Sequence, residues 1–226
     1  MTGHPRVVLV QIYGITDVDD AAAVAALGPD HVGVVLDEGL DAWDAVDGPT
    51  ARRIVAELRP AVRVVGLSLR DTVDGVIRTV ERLAPDIVHV ARAVGGLGPN
   101  GVEAIRDRIS PLPLMVTVPV RGESAVAHAQ ELEPTSDFLL LDSAHPDTGM
   151  VGATGLVHDW DLSARVVAAV DTPVFLAGGL GPDNVGEAIA RVRPAGVDSE
   201  TRTSRDDDRR RKDLDRVRRF IETARA

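Results

Sequence analysis

The chain has 226 residues, enough for one α/β barrel or two small domains, and 44% of them are hydrophobic, which supplies a sizeable core. A formal net charge of −10 argues against broad attraction to nucleic acid or acidic membrane and points to small molecules as partners. The absence of cysteine removes disulfides, thiolate metal ligands and thiol nucleophiles together.

Aromatic residues make up only 3%, so the core must be built from Val, Ala, Leu and Ile, as in parallel strands buried on both faces. That favours α/β over a sandwich. Residues 1–6 lead directly into a short apolar run without an extended signal-peptide core, and no segment holds the roughly 18 apolar residues of a membrane span. The expectation is a cytoplasmic protein, and no feature of the sequence sets its oligomeric state.

Val-rich runs recur at roughly 25-residue intervals, each followed by an amphipathic stretch of helical length, which is the pattern of βα units. Eight strands are expected, at 7–12, 31–36, 62–69, 86–90, 113–118, 137–142, 173–177 and 195–198. Eight units without a large insertion fit a (β/α)₈ barrel spanning residues 1–226 as one domain; a doubly wound open sheet shares the same local pattern. After the first strand, Thr16 suits the N-cap of a helix that begins near Asp17, with Asp19 approximating a capping box and Gly28 available to end it. Pro49, Asp159–Asp161 and Pro182 suit later helix starts. The basic segment 209–225 reads as a last helix with Leu214, Val217 and Ile221 packed inward and its charges in solvent, not as a nucleic-acid site.

In a barrel, the strand C-termini and the loops after them converge on one face and carry the chemistry. The groups at those ends are Tyr13, Asp37 and Glu38, Arg70, His89 and Arg92, Thr117, Asp142, Gly178-Gly179, and the stretch 199–202. Strand alternation aims only some of them into the mouth. Asp142 follows the apolar run 138–141, where desolvation raises a carboxyl pKa toward general-acid range; its alternative role is a loop cap or ion pair. Gly178 and Gly179 either let backbone amides approach a phosphate without Cβ interference or simply make a tight turn. His89 is either an acid or base that titrates near neutrality or a core histidine. Arg70 and Arg92 are strand-end cations able to hold an anion bidentately, or ordinary loop residues. His145, Asp147, His158 and Asp159 match no metal-ligand spacing, so neither a metal nor a cofactor is expected.

Several stretches together resemble the phosphoribosylanthranilate isomerase family. Leu141-Asp142-Ser143, Gly152-Ala153-Thr154-Gly155 and His158-Asp159-Trp160 are similar to the elements after that family's sixth strand. Leu176-Ala177-Gly178-Gly179-Leu180, with Pro182, Asn184 and Val185, is similar to its phosphate loop. Gly14-Ile15-Thr16 and the stretch 193–198 extend the likeness to both ends of the chain. The resemblance implies a ribulose-phosphate-binding barrel in which Asp142 protonates the ring oxygen of a phosphorylated aminosugar. It also implies that Gly178, Gly179, Ser199 and Thr201 hold the phosphate.

The sequence departs from the family at four strand ends. The catalytic cysteine of Lys-Ile-Cys-Gly-Ile-Thr is replaced by Tyr13, a phenol with an ordinary pKa of about 10. The second loop, Leu36-Asp37-Glu38-Gly39-Leu40-Asp41-Ala42-Trp43, is acidic where the family has Ser-Pro-Arg. Gln-Leu-His-Gly becomes His89-Val90-Ala91-Arg92, and Ser-Ser-Gly becomes Ser199-Glu200-Thr201, with Arg202 or Arg205 available to offset the carboxylate. The expected function is an aldose–ketose (Amadori-type) isomerisation of a phosphorylated sugar or aminosugar, with Asp142 as acid and Tyr13 or His89 assisting. The alternatives are a non-catalytic phosphosugar-binding barrel and a true phosphoribosylanthranilate isomerase of tryptophan biosynthesis.

Overall fold

The computed structural model describes residues 7–36, 39, 42–143 and 158–226. Among these, the strands are β1 (Leu9–Ile12), β2 (His31–Leu36), β3 (Ala45–Val46), β4 (Arg63–Ser68), β5 (Ile87–Val90), β6 (Leu114–Pro119), β7 (Phe138–Asp142), β8 (Val174–Leu176) and β9 (Gly196–Ser199). All pair in parallel, and β1 bonds to both β2 and β9, so eight of them close into a ring while β3 lies outside it. Closure rules out the open-sheet alternative. The helices are α1 (Val18–Ala26), α2 (Gly48–Leu58), α3 (Val73–Leu83), α4 (Gly98–Ile109), α5 (Ser124–Leu132), α6 (Trp160–Ala169), α7 (Val185–Val192) and α8 (Leu214–Arg225). The arrangement is a (β/α)₈ barrel, and none of these helices is long and apolar enough to cross a membrane.

The period of two along each strand produces two cores. Val10, Ile12, Val32, Val34, Val64, Val88 and Val90 face outward and pack against the helices. Tyr13, Val35, Val65, Ile87, Met115, Leu140, Phe175 and Ala177 face inward and fill the barrel. Aromatic residues are few but concentrated there: His31 stacks on Phe175 with ring centroids 5.3 Å apart, and Phe138 meets the same ring edge-on.

At the opposite end from the mouth, three aspartates that precede strands repeat one task. Asp30, Asp86 and Asp137 accept the backbone N–H of Val10, Val64 and Leu114, and each also meets an arginine: Arg225, Arg59 and Arg106 respectively. These acids satisfy strand-end donors that would otherwise be orphaned, which is a stabilising role at the face away from the chemistry.

Local punctuation differs from expectation in four places. Asp17, not Thr16, caps α1 by accepting from Asp19 and Asp20 N–H, because the Thr16 hydroxyl donates to the Arg210 carbonyl instead. Pro182 precedes α7 by three residues, since Asn184 accepts the Gly181 N–H and closes a turn around it. α8 begins at Leu214, capped by Asp213, and residues 205–212 form a strap bridged to Ser204 through Lys212. β3 was not expected at all; it pairs with Val35 and Leu36 on the edge of β2 whose lower end meets β1. Gly28, Pro49 and Asp159 sit where the sequence places them, at the end of α1 and the starts of α2 and α6. Val217, Phe220, Ile221 and Ala224 bury the inner face of α8.

Candidate active site

Tyr13 follows β1 by one residue and points into the barrel, 4% exposed. Gly33 of β2 makes room for it: a Cβ there would stand within 3.0 Å of three ring carbons of Tyr13. The Tyr13 hydroxyl lies 2.7 Å from His89 Nδ1, and His89 Nε2 lies 2.8 Å from Thr117 Oγ1. Burial alone holds His89 down at about 3, so the imidazole is neutral. A phenol is a better donor than acceptor, so we assign the Tyr13 O–H to Nδ1 and the Nε2–H to Thr117. Burial, followed by the negative charges of Asp198, Glu200 and Asp44, pushes the Tyr13 phenol well above its ordinary value. The residue at the cysteine position is therefore an un-ionised side chain whose proton is committed to His89.

Asp142 ends β7 and accepts the Ser143 N–H at 2.7 Å. Burial pushes its carboxyl up to about 7, with the Ser143 bond pulling the other way. Asp198 stands on β9 level with Gln11 of β1, 8% exposed. Burial first, and then the charge of Asp142, raises it to about 8; the Gln11 side chain and Lys212 oppose the rise. Two electrostatically coupled carboxyl groups thus hold protons into the neutral range. Gln11 is fixed from behind, its Oε1 lying 3.2 Å from His31 Nδ1.

The second acidic group settles where Glu200 goes. Its carboxyl lies over Gly14 and against Asp44, and burial followed by the Asp44 charge raises it well above the carboxylate range, so Glu200 keeps its proton. The cation that offsets this cluster is Lys212, not Arg202 or Arg205. Lys212 is buried, donates from Nζ to the Glu200 carbonyl (3.0 Å) and Ser204 Oγ (3.1 Å), and is lowered to about 8 by burial. Arg205 instead pairs with Asp207, and Arg202 is exposed. Lys212 reaches the mouth because the strap carrying it is clamped: Asp20 accepts from the Arg211 guanidinium and the Lys212 N–H, and Arg210 donates to the carbonyls of Trp43 and Ala45.

The glycine pair forms the loop after β8. Gly178 has φ +78°, and a Cβ there would come within 3.0 Å of Ser143 Oγ and His158 Nδ1; Gly179 has φ +65°. Both positions demand glycine. Asn184 braces the loop by donating to the Gly179 carbonyl and accepting from Gly181 N–H. Ser199 donates its hydroxyl to the Leu180 carbonyl at 2.7 Å, tying the end of β9 to the same loop. Thr201 is exposed at the start of the turn that follows. Arg70 is half-buried with its stem against Gly75 of α3, and Arg92 is exposed beside Gly96. Among the described residues, no group of three or more His, Asp or Glu is placed to hold a metal ion. Asp37, Glu38, His145, Asp147 and the stretch 152–155 lie outside the described residues.

Residues 10–223 match the family model described as N-(5'phosphoribosyl)anthranilate (PRA) isomerase. The chain belongs to this family. It is 36% identical over 189 residues to the N-(5'-phosphoribosyl)anthranilate isomerase of Haloferax volcanii, a match covering 84% of this chain and 81% of that one. The phosphoribosyl anthranilate isomerase structure from Thermotoga maritima superposes with a TM-score of 0.79 at 28% identity, over 96% and 98% of the two chains. A further structure of the isomerase, in complex with reduced 1-(o-carboxyphenylamino)-1-deoxyribulose 5-phosphate, gives 0.77 at 27% identity over 96% and 98%.

Within this member of the isomerase family, the structure joins Tyr13 to His89 directly and brings Asp142 next to a residue that sequence reasoning did not select. Asp198 appeared as the last residue of an expected strand and of the family-like stretch 193–198, with no role assigned to it. Its signal was parity: Gly196, Asp198 and Glu200 alternate on one side of β9, and Gly196 must lack a Cβ because the Phe175 ring inside the barrel would meet it. Gln11, two residues before Tyr13, carries the same signal. Lys212 carried none, because its position depends on a strap held by contacts distant in sequence.

Proposed function

We propose that this chain isomerises N-(5'-phosphoribosyl)anthranilate to 1-(o-carboxyphenylamino)-1-deoxyribulose 5-phosphate, a step of tryptophan biosynthesis. The observation that carries the reading is Asp142, a strand-end carboxyl raised to about 7 by burial and so able to hold a proton at neutral pH and give it up. Asp142 protonates the ribose ring oxygen; the C1–O bond breaks as the anilino nitrogen forms a C1=N double bond. A base then removes the C2 proton, the pair forms C1=C2, and the former C=N electrons return to nitrogen. Ketonisation of the resulting enol completes the Amadori rearrangement with no external oxidant.

The phosphate sits over the Gly178-Gly179 backbone ahead of α7, with Ser199 and Thr201 beside it. Arg70 and Arg92 are the cations offered to the substrate's carboxylate. Growth of a tryptophan auxotroph lacking the isomerase tests the reading. The wild-type chain restores growth and Asp142→Asn does not; a soluble wild-type chain that fails to complement refutes it. One observation favours a second reading, a binding barrel without turnover: Tyr13 is un-ionised and bonded to His89. Stabilisation by phosphorylated aminosugars that are never converted would support that second reading.

A further inference from the structure

We propose that Asp198 is the general base of this site, taking the C2 proton of the ring-opened substrate while Asp142 serves as the acid. The assignment rests on the isomerase reading above and goes beyond it by naming the group that works where a cysteine is absent.

The argument is one of geometry and elimination. Asp198 Oδ1 is buried and has no hydrogen-bond partner among the described residues, although alternation with Gly196 turns the carboxyl to the inside of the barrel at the end of β9. A buried carboxylate oxygen without a donor is costly, and such atoms persist where a ligand supplies the missing contact. The rest of the side chain is held: β9 pairs with β1 so that Asp198 and Gln11 are level, and the Gln11 amide, itself fixed by His31, bonds to it. One oxygen is positioned and the other is open, which is how a base aimed at a substrate C–H is presented.

The other groups around it are either engaged or hold their protons. Tyr13 gives its proton to His89, and both His89 nitrogens are occupied, by Tyr13 and Thr117. Glu200 Oε1 is also buried without a partner among the described residues, but it lies over Gly14 and its carboxyl keeps its proton, which removes it as a base; Lys212 is a cation bonded to the Glu200 carbonyl and Ser204 Oγ. The charged and titratable groups facing Asp198 are Asp142 from β7, Lys212 from the strap, and Tyr13 and Glu200 flanking the mouth. Lys212 favours the Asp198 anion; Asp142 opposes it only when ionised. With Asp198 the weaker acid of the two, a pair holding one proton carries it mainly on Asp198; the working form is the about tenfold less populated arrangement with the proton on Asp142 and Asp198 as carboxylate. In the reaction the C2–H bond breaks, its proton passes to Asp198 Oδ1, and its electron pair forms the C1=C2 bond. The same proton is available to C1 as the enol ketonises.

Purified full-length protein is tested with N-(5'-phosphoribosyl)anthranilate, following ketose formation, and with the reduced product analogue, following binding. Asp198→Asn loses about a hundredfold or more in kcat, in line with loss of a general base, and binds the reduced analogue within threefold of wild type. Asp198→Ala regains turnover with added formate, which a structural role would not produce. An Asp198→Asn protein that keeps more than a tenth of wild-type kcat overturns the assignment, as does a folded Asp198→Ala that formate does not rescue. So does a Tyr13→Phe protein that loses all turnover while Asp198→Asn keeps it. If the wild-type protein forms no ketose, the isomerase reading itself fails and the assignment falls with it.

Discussion

The fit of Tyr13 against Gly33 makes Gly33→Ala a sharp perturbation. A Cβ at residue 33 would lie within 3.0 Å of Tyr13 Cγ, Cδ1 and Cε1, and the ring cannot slide away without breaking its 2.7 Å bond to His89. Losing that bond leaves a buried acceptor unsatisfied, at about 1–3 kcal/mol. Overpacking adds about 1–3 kcal/mol, and the stiffer alanine returns about 0.4–1 kcal/mol through the unfolded chain. The net destabilisation expected is about 1–6 kcal/mol, or a melting point lower by ~2–24 °C for a chain of this size. Urea denaturation of Gly33→Ala, Tyr13→Ala and the double variant measures it. Tyr13→Ala alone costs about 3–5 kcal/mol by opening a cavity, but with the ring gone the added methyl costs less than about 0.5 kcal/mol. Additivity of the two single changes within about 0.5 kcal/mol would refute the steric account.

Other consequences follow from the charges and the glycine loop. The folded pKa values of Asp142 (about 7) and Asp198 (about 8) exceed their unfolded values, so their stabilising contribution is complete at low pH and declines as pH rises toward 8. His31 and His89 are lowered to about 4 and 3, so stability is lost as pH falls below their unfolded pKa of about 6.5. Between roughly pH 6.5 and 8 the carboxyls dominate and stability to urea falls; Asp142→Asn flattens this slope and gains ~1–3 kcal/mol at pH 8. A rise in wild-type stability across that window would contradict the assignment of these shifts. Lys212→Met strips the cation from the Asp44–Glu200–Asp198 cluster, costs about 3–5 kcal/mol in denaturation, and moves the Asp198 limb of the pH–rate profile upward; an unmoved limb would separate Lys212 from Asp198. Gly178→Ala forces a Cβ into Ser143 and His158 at positive φ, and raises KM for the phosphorylated substrate about tenfold or more, with a smaller change in kcat; an unchanged KM would remove the loop from phosphate binding.

The architecture was legible because it rests on local rules. Val-rich strands at even spacing, Pro49 at the start of α2, Asp159 at the start of α6, and Gly28 past the end of α1 all act within a few residues of themselves. Asp142 and the glycine pair were legible for the same reason, being a strand-end acid and a strand-to-helix turn. The errors have a common origin in contacts across the chain. Thr16 lost its capping role to the Arg210 carbonyl, β3 exists because β2 extends past β1, and the compensation of Glu200 comes from Lys212 on a strap tied to Asp20. Tyr13 was visible as a replaced cysteine, but its partners were not: only closure of the barrel brings β1 opposite β5 and lets His89 take the phenol proton. What looked like four separate departures from the family thus includes one linked change, Tyr13 with His89.

The central claim, that this barrel is an isomerase working through a protonated Asp142, is tested most directly by turnover of N-(5'-phosphoribosyl)anthranilate across pH 6 to 9. The wild-type protein should form the ketose with a narrow bell-shaped profile whose limbs lie near 7 and 8, and Asp142→Asn should reduce turnover by about a hundredfold or more. No ketose from the wild-type protein at any pH in this range, or undiminished turnover by Asp142→Asn, would contradict it.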